Sequence, residues 1–369
     1  MATPSAQRTR RRVAATVTTA LSLTLVFTGC STQSNSSTAA PSNAAVDADT
    51  CARNKAVGTI TYISGYGYSA SAGQMDVFLA QELGYFDELC LDVEINASGA
   101  NGQQLVAAGQ AQFTALGSAS DVMLAAANSK NLTAIATYGT TPPFSIFGND
   151  KLQSLKDLEG GSLGYFINLT PIASAMLDNA GVDASKVEMV KMTNYDPTVV
   201  VRDQVDAIVG YASNQPQALR AADQPFVEFL PDEFDVQGTY NVMEVNSKFL
   251  SEHREVAADF MRASLRALGE CLEQSDMCID KLAALAEANN QGAAFPREQL
   301  ARTWEVESAW VRDSTGGAPG VQTAAMWEPE YALVQKYGDV KSLPAIADMM
   351  DEDLVADLYQ GDALVWPAK

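Results

Sequence analysis

The chain has 369 residues, 47% apolar and 19% charged, which is enough to build large cores and argues against wholesale disorder or a fibrous fold. Its 24 basic and 45 acidic side chains give a net charge of −21, the wrong sign for a nucleic-acid partner. The one histidine, His253, excludes a multi-histidine metal site and is the single candidate for any histidine-dependent triad.

Arg8, Arg10, Arg11 and Arg12 precede an uncharged stretch, residues 13–29, that ends just before Cys30. A basic segment, a short apolar segment and small residues before a cysteine resemble a bacterial lipoprotein signal. That resemblance implies removal of residues 1–29 and lipidation of Cys30. The protein would then be exported and lipid-anchored on the outer face of the bacterial cell membrane. Phe27 stands where such signals usually carry Leu, and Arg11-Arg12 leaves a twin-arginine route open. The stretch is shorter than the ~20 apolar residues of a spanning helix. Residues 30–56 open with a run rich in Ser, Thr, Ala and Asn and read as a flexible tether. Residues 1–29 hold four Arg and no acid, so 20 basic and 45 acidic side chains remain after them, a net of −25. The acidity is most simply a solubility feature.

Further elements follow in chain order. Residues 59–63 form a strand and 65–73 a loop of Gly, Tyr, Ser and Ala. Met75, Phe78, Leu79 and Leu83 share one face of a helix over 74–83, which Gly84 is placed to end. Leu91, Val93 and Ile95 alternate with Asp92 and Glu94, a strand with one buried face. A helix near 103–108, a strand near 113–116, a helix over 122–127 and a strand over 132–137 complete a first α/β unit. Thr141-Pro142-Pro143 interrupts regular structure. A second unit has strands at 145–147, 162–165, 187–191, 207–209 and 227–229, with helices opened by Thr170-Pro171 and Asn214-Gln215-Pro216. Residues 240–245 are extended, and from 249 on the chain is mostly helical. The alternation predicts three-layer α/β architecture in two lobes with two crossings, a hinged clamshell. Ligands of such sheets usually sit at the carboxyl ends of the strands. The expected division is lobe 1 over 57–141, lobe 2 over 142–240, and a helical C-terminal part of lobe 1 over 241–369.

Four cysteines besides Cys30 suit disulfides in an exported chain. Three pairings are open. The short spacing favours Cys271 with Cys278, leaving Cys51 with Cys90. The absence of C-x-x-C, and of His beside these cysteines, argues against a metal site.

Residues 75–86, Met-Asp-Val-Phe-Leu-Ala-Gln-Glu-Leu-Gly-Tyr-Phe, and 91–95, Leu-Asp-Val-Glu-Ile, resemble the opening of one group of ABC-importer solute-binding proteins. That group binds the thiamine pyrimidine precursor and includes the yeast-type pyrimidine synthases; sulfonate, taurine and nitrate binders are relatives. Leu155-Lys156-Asp157-Leu158-Glu159-Gly160 with Leu163-Gly164, and Val205-Asp206-Ala207, resemble second-lobe stretches of the same proteins. The resemblance spans roughly residues 57–270. It implies a type II periplasmic-binding-protein fold, capture of a small ligand without cofactor or chemistry, and delivery to a membrane permease with its ATPase. The protein is expected to be a monomer. This sequence departs from the synthases in lacking their cysteine-rich motif and active-site histidine; His253 reads as an exposed helix start. Ser64-Gly65-Tyr66-Gly67-Tyr68-Ser69 replaces the family's aromatic-Pro-Asn pattern in the first loop.

Candidate site residues follow strands. In the first loop, Gly65, Tyr66, Tyr68 and Ser69 offer close backbone approach and ring stacking. Gly65, Gly67 and Ala70 also fit a weak dinucleotide fingerprint, which an exported protein has little use for. Gly117, Ser118 and Ser120 lie at a helix start, where N–H groups and hydroxyls can bind a polar edge or simply cap the helix. Tyr138 lies at the first crossing. In lobe 2, Tyr165, Phe166, Asn168, Asn194, Tyr195, Tyr211 and Asn214 follow strands, and Asn can both donate to and accept from a heterocycle. Residues 57–129 contain no Lys or Arg, so a neutral or cationic flat ring fits better than a sulfonate, which would usually recruit Arg. Thiamine-precursor pyrimidines, nucleobase-like rings and flavins all qualify; the pyrimidine ranks first on resemblance. A cation site could involve Asp76, Glu82 and Asp121, which read more simply as solvated helix residues. An extracytoplasmic enzyme, or a surface sensor or adhesin, remains an alternative.

Overall fold

The computed structural model describes residues 44–97, 101–129, 131–315 and 318–367. The expected signal, Cys30 and most of the expected tether lie outside them. The tether does not extend to residue 56. Ala48–Ala56 is a helix (α1), opened by Asp47 accepting from the Thr50 N–H. Its inner face is held to the domain: Cys51 is bonded to Cys90, and the buried Asn54 donates to Leu89 O and to Asp259.

Lobe 1 continues through β1 (Thr59–Ser64), α2 (Met75–Glu82), the short α3 (Tyr85–Glu88), β2 (Asp92–Asn96), α4 (Gly102–Ala107), β3 (Phe113–Leu116), α5 (Ala119–Ala126) and β4 (Leu132–Gly139). Gly84 turns the chain from α2 into α3 at φ +81°, a left-handed backbone that side chains resist. Lobe 2 holds β5 (Phe144–Gly148), β6 (Ser162–Tyr165), α6 (Pro171–Asn179), β7 (Glu188–Lys191), α7 (Thr198–Val201), β8 (Ala207–Tyr211), α8 (Gln215–Ala221) and β9 (Val227–Phe229). Thr170 caps α6 by accepting from the Ala173 N–H, and Pro171 fills a first-turn position that needs no N–H. The chain returns through β10 (Tyr240–Asn246) into α9 (Ser247–Glu252), α10 (Arg254–Glu273), α11 (Ser275–Ala288), α12 (Arg297–Thr315), α13 (Ala324–Tyr337) and α14 (Asp353–Ala356).

The first sheet has the order β2-β1-β3-β10-β4. Strand β1 is parallel to β2 and β3, and β10 is antiparallel to both β3 and β4. The second sheet has the order β7-β6-β8-β5-β9, with β5 antiparallel to β8 and β9. Because β10 inserts inside the first sheet after lobe 2 is complete, both crossings, 140–143 and 230–239, are fixed. Strands β5–β9 span 144–229, and Tyr240 already pairs with Gly139 in lobe 1.

The main core lies under the first sheet, where Phe260 stacks on Phe113 at 4.1 Å and on Phe86 at 5.2 Å between ring centroids. Burying such a ring contributes about 1.5–3 kcal/mol. The second disulfide, Cys271 with Cys278, joins α10 to α11 in this core. The C-terminal helices are not confined to lobe 1, because α13 serves both lobes. Its Trp327 and Val334 pack with Val242 of lobe 1, while its Leu333 and Tyr337 pack on the lobe 2 core. Between them the buried Glu330 accepts from Ser118 Oγ, from the N–H and Oγ of Ser120, and from the N–H and Oγ1 of Thr239.

Candidate functional site

The carboxyl ends of β1, β3 and β8 meet at the interlobe cleft. Tyr66, just after β1, points its hydroxyl at that of Tyr211, the last residue of β8; the oxygens are 2.9 Å apart and the rings 5.8 Å, edge to face. Gly117, just after β3, makes this approach possible. A Cβ there would lie 2.1 Å from Tyr211 Oη and 3.2 Å from Tyr66 Oη. On the lobe 2 side the Tyr211 ring rests against Phe144 at 5.0 Å. The loops after β6 and β7 are joined by Phe166 stacking on Tyr195 at 4.0 Å. Tyr195 is 61% exposed. Burial, and then the charge of Asp121, raise the pKa of the Tyr66 hydroxyl.

Asp121, in the first turn of α5, forms the polar floor. Its Oδ2 accepts from the Gly117 N–H at 3.2 Å. Burial, and then the charge of Glu330, raise its pKa to about 6. Behind it Gln103 donates to both Asp121 O and Glu244 Oε2. Burial pushes Glu244 to about 8, and its other oxygen, Oε1, has no hydrogen-bond partner. Apart from Gln103, the side chains gathered here are aromatic or acidic, with no Lys or Arg among them. Such a cleft can stack a flat ring and accept hydrogen bonds from its amino or ring N–H groups.

Of the residues expected from sequence, Tyr66, Gly117 and Tyr211 come together. Asn214 lies on the rim, where it accepts from Gln299 Nε2 at 3.0 Å. Gly65 is exposed in the same loop, and Ser69 is tied to Ser71 through their hydroxyls. Tyr165 is half-buried at the end of β6, while Asn168 and Asn194 are exposed on the two lobe 2 loops. Asn194 accepts from the Asp196 N–H.

Four expectations are corrected. Tyr68 is 7% exposed and stacks on Phe78 at 4.8 Å, so it serves the lobe 1 core. Tyr138 is wholly buried and donates to Asp76, because the last six residues of β4 are all buried. Ser118 and Ser120 spend their hydroxyls on Glu330. Asp76 is not solvated, being 0% exposed with its pKa raised by burial to about 7, and Asp121 is half-buried, whereas Glu82 is exposed as expected. Asp121, Phe144 and Glu244 belong to the site although sequence reading set them aside or passed over them. An acid one turn into a helix that starts at a Gly-Ser strand end was the available signal for Asp121.

Two mixed sheets flanked by helices, joined by two crossings and meeting at their strand ends, define a type II periplasmic-binding-protein fold. The family model described as NMT1/THI5 like matches residues 72–277, and the chain belongs to that family. It is 26% identical over 285 residues to the formylaminopyrimidine-binding protein of Halalkalibacterium halodurans, covering 74% of this chain and 83% of the relative. It is also 26% identical over 190 residues to the riboflavin-binding protein RibY of Chloroflexus aurantiacus, covering 50% of this chain and 54% of that one. The ligand-binding component of an ABC-type import system from Staphylococcus aureus, solved with zinc bound, shares the fold with a TM-score of 0.60. That match has 13% identity and covers 81% of this chain and 98% of the other. Among the described residues no helix is long and apolar enough to cross a membrane.

Proposed function

We propose that this protein is the extracytoplasmic solute-binding component of an ABC importer, and that it captures a thiamine-precursor pyrimidine between its lobes. The observation that carries the reading is the convergence of Tyr66, Tyr211 and Asp121 around the side-chain-free Gly117, contributed by strand ends of both lobes. The Tyr faces stack on the ring, and the Asp121 carboxylate accepts from an exocyclic amino group. No chemical step is involved. Ligand bound in the open cleft stabilises the closed form through its higher affinity for that form. The closed form then docks on the permease and its ATPase. A lipid on Cys30 would hold the protein, as a monomer, at the outer face of the membrane. The relative that binds formylaminopyrimidine supports the pyrimidine. A second relative binds riboflavin, another flat ring, so a flavin is the second reading.

Calorimetric titration with formylaminopyrimidine, riboflavin and taurine tests both. We expect formylaminopyrimidine to bind tightest, and Asp121→Asn to weaken it by about 10–100-fold, the worth of a hydrogen bond to a charged group. Tightest binding of riboflavin would select the flavin reading. Tightest binding of taurine would refute a site built for rings.

A further inference from the structure

Glu307 of α12 lies at the seam between the lobes and is 1% exposed. Its helix is carried by lobe 1, because Leu300, Trp304 and Val311 are part of that lobe's core. One face of the same helix, Gln299, Thr303 and Glu307 at four-residue spacing, is turned to lobe 2. Gln299 donates to Asn214, and Thr303 Oγ1 donates to Ser213 O at 3.1 Å. Glu307 Oε1 accepts from Ser213 Oγ at 2.6 Å, on the loop just after β8. Glu307 Oε2 accepts from Tyr240 Oη at the start of β10.

We infer that Glu307 is the closure residue: its carboxyl holds Ser213 of lobe 2 in the closed form and makes closure, and with it ligand affinity, depend on proton uptake. The inference rests on the proposed capture of ligand between closing lobes. Opening the cleft withdraws Ser213 and admits water to the carboxyl, and closing strips that water away. Burial raises the Glu307 pKa from the ordinary 4.5 to about 7, outweighing the lowering by the Ser213, Tyr240 and Ser71 hydroxyls. The closed form therefore holds a proton that an open, solvated Glu307 releases. Closure is favoured on the acid side, and the advantage fades as pH rises through about 7.

The other titratable groups facing this point are Tyr240 and Tyr211, both raised well above 10 by burial, and Asp76, whose charge acts on Tyr240. Neither tyrosine ionises in the range concerned. Asp76 is surrounded by Tyr138, Gly73 and Val77, all of lobe 1, so opening leaves its neighbours in place. Asp121 also acts on Tyr211 across the cleft and is raised to about 6 by burial, but it is unchanged in Glu307→Gln, so the difference between that variant and wild type reads Glu307 alone.

The test is small-angle scattering on the ligand-free protein at pH 5.5 and pH 8, together with titration by formylaminopyrimidine at both. The proteins are wild type, Glu307→Gln and Ser213→Ala, with folding checked by circular dichroism. We expect the wild-type radius of gyration to grow from pH 5.5 to pH 8 and that of Glu307→Gln to grow less. The ratio of dissociation constants at the two pH values should fall about tenfold in Glu307→Gln. Ser213→Ala removes the hydroxyl that the carboxyl holds across the seam, so it should be more open than wild type at both pH values. The same pH response in Glu307→Gln as in wild type would overturn the inference. So would wild-type behaviour of Ser213→Ala at pH 8, which decides the matter if Glu307→Gln does not fold. If formylaminopyrimidine binds none of the three, the proposed ligand fails, and the scattering still decides the role of Glu307.

Discussion

Tyr66 and Tyr211 are 145 residues apart in the chain, and their hydroxyls meet at 2.9 Å across the cleft. One belongs to the first loop of lobe 1 and the other to the last residue of a lobe 2 strand, so the pair senses the distance between lobes directly.

The two first-loop tyrosines should separate affinity from stability. Tyr66→Ala is expected to weaken ring binding by about 1–3 kcal/mol with little change in melting temperature. Tyr68→Ala, which removes a buried ring stacked on Phe78, should cost about 3–5 kcal/mol of stability. Calorimetric binding and thermal melts on both variants check this; a binding loss confined to Tyr68→Ala would reverse the assignment.

Gly117→Ala should leave the isolated lobes intact and obstruct their approach, since the new methyl would sit 2.1 Å from Tyr211 Oη. We expect affinity to fall about 100-fold. Adding Tyr211→Phe should restore part of it, because the next ring atom, Tyr211 Cζ, is 3.3 Å from that position. Titration of the single and double variants reads the rescue directly.

Stability should decline from pH 5 to pH 8. Burial raises Glu244 to about 8, and Asp76 to about 7, so the folded state holds protons that the unfolded chain releases above about pH 4–5. Glu244→Gln keeps an acceptor for Gln103 and cannot ionise. It is expected to stabilise the protein by about 1–3 kcal/mol at pH 8 and to have little effect at pH 5. Denaturant melts at the two pH values would expose an error if the gain were equal at both.

Reduction should lower the melting temperature. The Cys51–Cys90 bond spans 39 residues and Cys271–Cys278 spans 7. Loop-closure entropy assigns about 4 kcal/mol to the first and about 2 kcal/mol to the second. Thiol counting on the unreduced domain should find none; four free thiols would contradict both bonds.

Much of the fold was legible because its signals are local. The alternation of Leu91, Val93 and Ile95 marks β2, Thr170-Pro171 marks the start of α6, and Gly84 marks the end of α2. The helix over 48–56 escaped notice because its apolar face is small. Docking through Cys51 and Asn54 holds it, not propensity. At the site, residues that follow strands were rightly suspected, but loop position cannot say which way a side chain turns. Tyr66 and Tyr68 are two residues apart in the same loop, yet one faces the cleft and the other the core.

By itself the sequence determined the α/β alternation, the order of the two units, and the absence of basic side chains from 57–129 that disfavours an anionic ligand. These follow from composition and from periodicities spanning a few residues. Only the tertiary structure decided that Asp121 is a half-buried acceptor, that Ser118 and Ser120 serve Glu330, and that Glu307 reaches across to Ser213. The physical reason is sequence distance. Glu330 lies 212 residues from Ser118, and Glu307 lies 94 from Ser213. The burial that raises each carboxyl's pKa exists only once the two sheets and the C-terminal helices have packed.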